Sequence, residues 1–494
     1  MMIISYYGWF RDKNTGLPDN SLLDVVDGGE LADGGLGSVV GAVVNRDLAG
    51  SDLLLQLLVL LNREGLEVPA VLIGGQADVI AVLQTKVAVG CCDGAPLACL
   101  DVGQRSRNSL RQALHSGGDE RVVSIGAVSN AVCTDVDGKS YIDFTAGIGV
   151  NSLGFCNDQW VNAVCKQAAT LNHTSNLYYT EPGSVLAEKL CKKANMQRVF
   201  FANSGAEANE GAIKAARKYS FDKYGEGRYE IISLNNSFHG RTITTLSATG
   251  QAVFHTKFNP FTEGFVFADA NDIDSVKALV SEKTCAVLIE CIQGEGGVVP
   301  LEKSFVQALA ALCKEKDLLL VVDEVQTGIG RTGSFFCYQQ FDVQPDIVSA
   351  AKGLGGGLPI GAVLFGEKTK DTMDAGTHGS TFGANPIVAA GANVVVDAID
   401  EAFLADVQKK SAYIFEKVQK FPHVKSVTGL GLMIGVEFED GITGKQVVDQ
   451  CIPQGVLFLT AKAKLRMLPP LVITMEQIDQ GLSVLEKVLT DWEA

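Results

Sequence analysis

The sequence predicts an α/β protein with a mostly parallel β-sheet. Short runs of Val, Ile and Leu alternate along the chain with stretches of helical pattern, which is typical of this class. Residues 318–322 are apolar throughout and residues 347–350 are apolar apart from Ser349, as expected for strands that a parallel sheet buries on both faces. Residues 198–201 and 229–234 have the pattern of two further strands.

Lys352 follows the run at 347–350 and is itself followed by Gly353 and a glycine-rich turn. The C-terminal end of such a strand lies at the edge where open α/β sheets bind ligands. Glycines there let the backbone pass close to a flat ligand, because they carry no Cβ. Taken alone, a lysine before such a turn is usually a solvated charge, but at this edge it can hold an aldehyde cofactor.

Asp323 ends the run at 318–322, so the pattern places a carboxylate in the same crevice. A buried aspartate needs a cationic partner. The pyridinium nitrogen of pyridoxal phosphate is such a partner, and an ionised aspartate beside it keeps the ring protonated.

The strand at 198–201 leads into a loop of small residues and a helix that begins near Gly205. The free backbone N–H groups of Gly205 and Ala206, with the positive end of the helix dipole, can bind a phosphate without a basic side chain. The alternative is an ordinary helix N-cap at Ser204, which by itself is the commoner arrangement.

The strand at 229–234 leads to Phe238 and Arg241. Phe238 can cover one face of a cofactor ring, and Arg241 can pair with both oxygens of a substrate carboxylate. In isolation, a core phenylalanine and a surface arginine are equally good interpretations.

Taken together, these segments resemble a class III (fold-type I) pyridoxal-phosphate aminotransferase, and within that class the acetylornithine aminotransferases. The resemblance extends from about residue 131 to the C-terminus. It implies a large cofactor-binding domain at residues 171–385 and a smaller α/β domain built from residues 116–170 and 386–494. The matching stretches are residues 137–149, 173–178, 203–210, 238–242, 290–297, 323–330, 352–359, 378–386 and 465–470.

The resemblance also implies how the cofactor is held. Lys352 matches the lysine that binds pyridoxal phosphate covalently, Asp323 matches the partner of its ring nitrogen, and both are implied to be catalytic. A homodimer with shared active sites follows, because one matching position reaches the phosphate of the neighbouring subunit. The further cofactor-binding positions implied are Gln326 near the phenolic oxygen, Phe238 on the ring, Gly205 and Ala206 at the phosphate, and Thr381 at the neighbouring subunit's phosphate.

On the substrate side, Arg466 matches the residue that binds the α-carboxylate of the keto acid and of glutamate. Glu295 matches the carboxylate that pairs with this arginine when the other amino donor is bound. Arg241 is implied to bind the donor's own carboxylate, and Ser380 is a further substrate-binding position.

The implied reaction transfers the terminal amine of N2-acetyl-L-ornithine to 2-oxoglutarate in arginine biosynthesis. Ornithine, succinylornithine and 4-aminobutyrate aminotransferases share these motifs and remain alternatives. An aminomutase such as glutamate-1-semialdehyde isomerase shares the lysine and the aspartate but does not need the pair of Glu295 and Arg466. An inactive scaffold is the remaining alternative, and the intact Lys352 and Asp323 count against it.

The composition favours a soluble cytoplasmic enzyme. The net charge of −16 argues against nucleic-acid binding and against binding to an anionic membrane surface. The sequence contains no apolar run of about 20 residues and shows no secretory signal. The twelve cysteines have no repeated spacing and are typical of free thiols in a reducing compartment. A metal site is not expected, since the cluster Cys91, Cys92 and Cys99 has only His115 nearby as a fourth ligand.

Residues 1–115 do not match the family. They contain two lysines and six arginines, against 26 lysines and seven arginines in the remainder, and this shift marks a boundary. An appended α/β module, a poorly ordered extension and a shifted reading frame remain open for this segment. Relatives begin the shared fold with a segment that has an aromatic residue and a proline close to the donor's carboxylate. Residues 115–126 contain neither, so we expect weakened donor binding, whereas Cys291 and Ala384 are small, tolerated departures.

Overall fold

The computed structural model of the protein describes residues 125–492. The predicted extension at residues 1–115, with its cysteine cluster, and residues 115–124 of the N-terminal segment lie outside the described residues, so the inferences on them stay predictions. None of the helices within the described range combines the length and the apolar character that crossing a bilayer requires.

The strands and helices of the described residues alternate through most of the chain. The strands are β1 (Ile125–Ser129), β2 (Val132–Asp135), β3 (Ser140–Asp143), β4 (Arg198–Ala202), β5 (Glu230–Leu234), β6 (Phe265–Ala268), β7 (Thr284–Ile289), β8 (Ile292–Gln293), β9 (Val299–Pro300), β10 (Leu319–Asp323), β11 (Ile347–Ala350), β12 (Gly361–Phe365), β13 (Val424–Leu430), β14 (Met433–Phe438), β15 (Val456–Leu457), β16 (Leu459–Ala461) and β17 (Lys464–Met467). The main helices are α1 (Asp158–Thr170), α2 (Glu181–Ala194), α3 (Gly205–Tyr224), α4 (Ile243–Ala248), α5 (Ile273–Leu279), α6 (Lys303–Lys316), α7 (Pro386–Ala398), α8 (Glu401–Val418), α9 (Gly444–Cys451) and α10 (Met475–Thr490).

The largest sheet has the strand order β4–β12–β11–β10–β7–β5–β6. Strand β12 runs antiparallel to both β11 and β4, whereas the pairings among β11, β10, β7, β5 and β6 are parallel. The carboxyl ends of the parallel strands therefore meet at one edge, where Asp323 of β10 lies in register with Ser349 of β11. The predicted mostly parallel sheet is confirmed.

Alternate side chains of the central strands face opposite sides of this sheet, and each side has its own core. On β10, Leu320 and Val322 pack in a cluster with side chains of α2, α6 and α7, while Leu319 and Val321 pack with α3. Helix α3 meets the sheet mainly through alanines, so it lies close to the strands; a Cβ added at Gly211 would lie 3.0 Å from a methyl group of Val363. This close packing positions the N-terminus of α3 beside the carboxyl ends of the strands.

The flanking segments form a smaller α/β unit. Strands β13, β14, β17 and β16 make an antiparallel sheet whose core includes side chains of α8, α9 and α10. The N-terminal segment joins this unit because β3 pairs in parallel with β15. Phe144, which follows β3, packs against α10, where a Cβ at Gly481 would lie 2.2 Å from the Phe144 ring. The predicted smaller α/β domain is thus present, and its limits at residues 170 and 385 stay predictions.

Candidate active site

The buried carboxylate of Asp323, at the end of β10, lies at the centre of the site. Its Oδ2 accepts hydrogen bonds from Asn209 Nδ2 at 2.7 Å and pairs with His239 Nδ1 at 2.8 Å, and its Oδ1 accepts one from the Val325 amide at 2.9 Å. Asp323 is 3% exposed and forms no ion pair with a lysine or arginine of residues 125–492. A carboxylate that is buried without a lysine or arginine partner suits a bound cation such as a pyridinium ring.

Asn209 is itself held in one orientation. The Ser349 hydroxyl donates to Asn209 Oδ1 at 2.6 Å, so the amide NH2 group must point the other way. That NH2 group donates to Asp323 and also to the His239 carbonyl oxygen, at 2.7 Å in both cases. Three elements, α3, the loop after β5 and strand β11, therefore hold the aspartate as a hydrogen-bond acceptor.

Lys352 follows β11 in a left-handed backbone conformation, with φ of 44°. Such a conformation costs energy for a residue with a side chain and is commonly found at functional sites. The Lys352 amine forms no hydrogen bond or ion pair with any residue that the structure describes. Burial lowers the pKa of Lys352, although the nearby carboxylate of Glu295 opposes this shift. The lower pKa increases the fraction of neutral, nucleophilic amine.

The start of α3 has the features of a phosphate-binding loop. Ser204 caps the helix by accepting a hydrogen bond from the Glu207 amide at 3.2 Å. The amides of Gly205 and Ala206, in the first turn, have no acceptor within the helix. A Cβ at Gly205 would lie 2.6 Å from a methyl group of Val325, so only glycine lets this helix terminus approach the loop after Asp323 so closely. The N-cap at Ser204 is therefore compatible with the predicted phosphate-binding site at Gly205 and Ala206.

Phe238 lies in the loop after β5, which is tied to the end of β7. The Phe238 amide donates to Glu290 Oε2 at 2.9 Å, and the Gly294 amide donates to Glu290 Oε1 at 3.4 Å. Burial raises the pKa of Glu290. This carboxyl group links Phe238 to the loop that carries Glu295.

Glu295 and Arg466, which we call the gate pair, are in direct contact. Arg466 Nη1 lies 2.6 Å from Glu295 Oε1 and 3.3 Å from Gln326 Oε1, while Gln326 Nε2 donates to Glu295 Oε1 at 3.3 Å. Burial alone would raise the pKa of Glu295, but the contact with Arg466, together with Lys352 and Gln326, keeps this pKa below its ordinary value. The Arg466 guanidinium is buried, and its Nε has no acceptor among the described residues.

Arg241 differs from Arg466 in its surroundings. Its side chain is exposed and makes no hydrogen bond or ion pair with residues 125–492. The guanidinium carbon instead lies 4.2 Å from the centroid of the Phe254 ring and 5.4 Å from that of Phe238. The N–H groups of Arg241 are therefore available to an anionic ligand.

Ser380 and Thr381 lie in a loop near the start of α3. Ser380 Oγ accepts a hydrogen bond from Asn203 Nδ2 at 3.1 Å, whereas the exposed Thr381 hydroxyl forms none with the described part of the chain. Large apolar side chains are exposed nearby, with Phe382 60% exposed, and an exposed apolar patch of this kind often marks a protein interface. The Ser380 carbonyl also accepts a hydrogen bond from Asn176 at 2.7 Å, which joins this loop to the exposed residues Leu177, Tyr178 and Tyr179.

Sequence reasoning missed four residues of the site, namely Asn209, His239, Ser349 and Phe254. For Asn209 a signal was present, since it is a polar residue on the alanine-rich face of α3, one turn after Gly205. The other three gave no local signal, because their partners are distant in sequence. Within the described residues, no group of His, Cys, Asp and Glu is arranged to hold a metal ion.

These residues fit pyridoxal phosphate: Lys352 for its aldehyde, Asp323 for its ring nitrogen and the α3 terminus for its phosphate. Comparison with known proteins agrees, since residues 115–489 match the family described as aminotransferase class-III. The acetylornithine aminotransferase of Haemophilus ducreyi is 57% identical over 358 residues, covering 72% of this chain and 91% of that protein.

Solved structures of aminotransferases are also similar to this chain. The N-acetylornithine aminotransferase of Stenotrophomonas maltophilia has a TM-score of 0.67 and 35% identity, covering 77% of this chain and 98% of that one. The ornithine aminotransferase of Toxoplasma gondii, described with partial occupancy of PLP at its active site, has a TM-score of 0.74 and 31% identity, covering 78% and 94%.

The fold and the site are those of a fold-type I enzyme that depends on pyridoxal phosphate. The chain belongs to the class III aminotransferase family. The predicted class, enzyme type and cofactor are confirmed, while the roles of the individual residues are proposals.

The contacts of Asn209 lead to a prediction about cofactor affinity. Asn209→Leu removes one donor to the Asp323 carboxylate at nearly constant volume, and we expect pyridoxal phosphate to bind roughly 10- to 100-fold more weakly. Fluorescence titration of the apoprotein measures this dissociation constant. Asn393→Leu, the same change at a partly buried position of α7, is the control. Equal affinities for the two variants would contradict the role given to Asn209.

Proposed function

We propose that this protein transfers the terminal amine of N2-acetyl-L-ornithine to 2-oxoglutarate. The products are N-acetyl-L-glutamate 5-semialdehyde and L-glutamate, in arginine biosynthesis. The observation that carries the proposal is the gate pair, in which Glu295 Oε1 lies 2.6 Å from Arg466 Nη1. The pair lies near Lys352, whose pKa responds to both charges. The similarity to proteins named acetylornithine aminotransferase supports the same substrate.

The gate pair explains how one pocket accepts two unlike substrates. While Glu295 is paired with Arg466, the charge of the guanidinium is neutralised. The terminal amine of the donor, which has no carboxylate next to it, can then approach Lys352. When a keto acid binds, its α-carboxylate replaces Glu295 on Arg466 and forms a charge-assisted pair. The side chain of Glu295 is 31% exposed, so it has room to move away from Arg466.

The remaining roles follow from position. Bound pyridoxal phosphate supplies an electron sink for the substrate carbon. Lys352 would hold the aldehyde of the cofactor, and its amine would move a proton at the substrate carbon as a general acid and base. Asp323, oriented by its hydrogen bonds, would pair with the ring nitrogen of the cofactor, and Phe238 would contact the ring.

Arg241 is the group that binds the carboxylate of the amino donor. Its surroundings in the described structure are the rings of Phe238 and Phe254 rather than a carboxylate. An acylated α-amine is uncharged and suits this apolar setting better than the charged α-amine of ornithine does. This favours the acetylated donor over free ornithine.

A panel of amino donors tests the proposed function. The purified holoenzyme is supplied with 2-oxoglutarate and with N2-acetylornithine, ornithine, succinylornithine or 4-aminobutyrate, and glutamate formation is measured. We expect the highest kcat/KM with N2-acetylornithine, and no turnover above background in Lys352→Ala. A higher kcat/KM with one of the other donors would replace the proposed substrate.

The gate pair gives a second expectation. Glu295→Ala leaves Arg466 permanently exposed, so α-amino acids such as glutamate gain affinity relative to the acylated diamine. We expect the ratio of kcat/KM for glutamate to that for N2-acetylornithine to rise about 10-fold or more, since a close charge pair is lost. Glu302→Ala, a change at an exposed carboxylate in the same segment, is the control. An unchanged ratio would mean that Glu295 is only structural.

We also propose a cytoplasmic homodimer whose two active sites share residues. Thr381 has no partner within the described chain, and its loop includes the exposed Phe382 and is hydrogen-bonded to Asn176, which precedes the exposed residues 177–179. A second copy covering this patch would bury the rings and place Thr381 at the neighbouring phosphate. Buried free thiols such as Cys285 and Cys313 fit a reducing compartment.

Mixing two inactive variants tests the shared sites. Lys352→Ala and Thr381→Glu are each expected to be inactive, but a heterodimer contains one site with an intact lysine and an intact threonine. After complete subunit exchange we expect about a quarter of the wild-type activity, because half of the dimers carry one good site of two. Light scattering and a tagged subunit verify dimer formation and exchange. No recovery in verified heterodimers would show that each site is self-contained.

A further inference from the structure

The short 3-10 turn Ala252–Phe254 is attached by hydrogen bonds to the residues that follow strand β5. Its first anchor is Gly250, where a Cβ would lie 2.0 Å from the Leu234 carbonyl oxygen, so no other residue fits without a shift of the backbone. The Gly250 carbonyl accepts a hydrogen bond from the Asn236 amide at 2.7 Å, and its amide donates to Ser237 Oγ at 3.0 Å. The turn is thereby attached to the residues that precede Phe238.

Side chains on both sides of Phe254 complete this attachment. Gln251 Nε2 donates to the Ser237 carbonyl at 3.1 Å, and His255 Nε2 lies 2.8 Å from the Leu246 carbonyl of α4. The His255 ring also packs on Phe261, with 5.1 Å between the ring centroids. The backbone of Phe254, the last residue of the 3-10 turn, is therefore held from both directions.

The ring of Phe254 contacts the two residues that face the ligands. It meets Phe238 edge to face, with ring centroids 6.0 Å apart, and the guanidinium of Arg241 lies 4.2 Å from its centroid. Stacking on a ring leaves the edge of the guanidinium, with its N–H groups, free to pair with a carboxylate. An exposed arginine without such a contact samples many rotamers, and fixing them on binding weakens affinity.

From this geometry we propose that Phe254 is a specificity-determining residue that positions Arg241 for the carboxylate of the amino donor. The inference rests on the proposed function, since it takes Arg241 as the donor's carboxylate group. The Phe254 ring does not touch the reacting atoms. It acts through Arg241, so it affects donors that carry this carboxylate and not those that lack it.

Two donors with the same reactive amine isolate this effect. N2-acetylornithine carries the carboxylate, and N-acetylputrescine is the same molecule without it. The donor half-reaction of the holoenzyme, followed by the absorbance of the bound cofactor, separates donor affinity from the rate at saturation. In Phe254→Leu we expect the affinity for N2-acetylornithine to fall roughly 3- to 30-fold, which is the range for a cation–π contact. The saturating rate, the affinity for N-acetylputrescine and the dissociation constant of pyridoxal phosphate are expected to stay unchanged.

Three further variants test whether the effect depends on the ring of Phe254 and on its contact with Arg241. Phe254→Tyr keeps the ring face and is expected to retain wild-type selectivity. Phe258→Leu, at an exposed position of the same segment, is expected to change nothing. In Arg241→Leu the selectivity for the carboxylate is lost, and adding Phe254→Leu to it is expected to cause no further loss, because both residues act through one contact.

A failure of the role proposed for Arg241 and a failure of the role proposed for Phe254 give different results. If the wild type itself does not favour N2-acetylornithine over N-acetylputrescine, the proposed role of Arg241 fails and the inference falls with it. If the wild type does favour it but Phe254→Leu keeps this preference, the inference alone is overturned. It is equally overturned if Phe254→Leu weakens both donors or the cofactor to the same degree, because Phe254 would then only support the fold.

Discussion

The hydrogen-bonded carboxylate of Asp323 is the constraint on which the rest of the site depends. It is buried without a lysine or arginine partner in the described residues, and three N–H groups from different parts of the chain hold it. Each hydrogen bond to a charged group contributes about 1.5–3 kcal/mol. These bonds fix α3 and the loop after β5 relative to β10, so the contacts that hold the Asp323 carboxylate also position the start of α3 and Phe238.

Lys352 lies near two opposite charges, those of Glu295 and Arg466. Its amine has no direct partner among residues 125–492, while the nearby Glu295 is already paired with Arg466. Burial can therefore lower the lysine pKa, because the carboxylate that opposes this shift is largely neutralised by the arginine. Opening the gate pair would change this balance as well as the shape of the pocket. In the proposed function, the reactivity of Lys352 and the choice of substrate are thus coupled through the carboxylate of Glu295.

The two arginines of the site are prepared for carboxylates in different ways. Arg466 is buried and paired with the acidic side chain of Glu295, which a substrate carboxylate would replace in the proposed function. Arg241 is exposed and held by aromatic rings, which leave its hydrogen-bonding edge unoccupied. In the proposed function, the first arrangement lets the pocket switch between substrates, whereas the second favours one kind of donor. An amino-transfer site that serves two substrates in turn needs both properties.

The sequence alone determined the α/β class, the buried parallel strands and the positions of Lys352, Asp323 and Gly205, because strand and helix patterns and glycine turns are local signals. The resemblance to a family added Glu295 and Arg466 as a pair. Only the tertiary structure revealed how Asn209, Ser349 and His239 surround Asp323 and that Arg241 lies over the ring of Phe254. Ser349 and Asn209 are 140 positions apart in the sequence yet 2.6 Å apart in space. Such contacts arise only where the sheet brings strand ends together, and no local pattern encodes them.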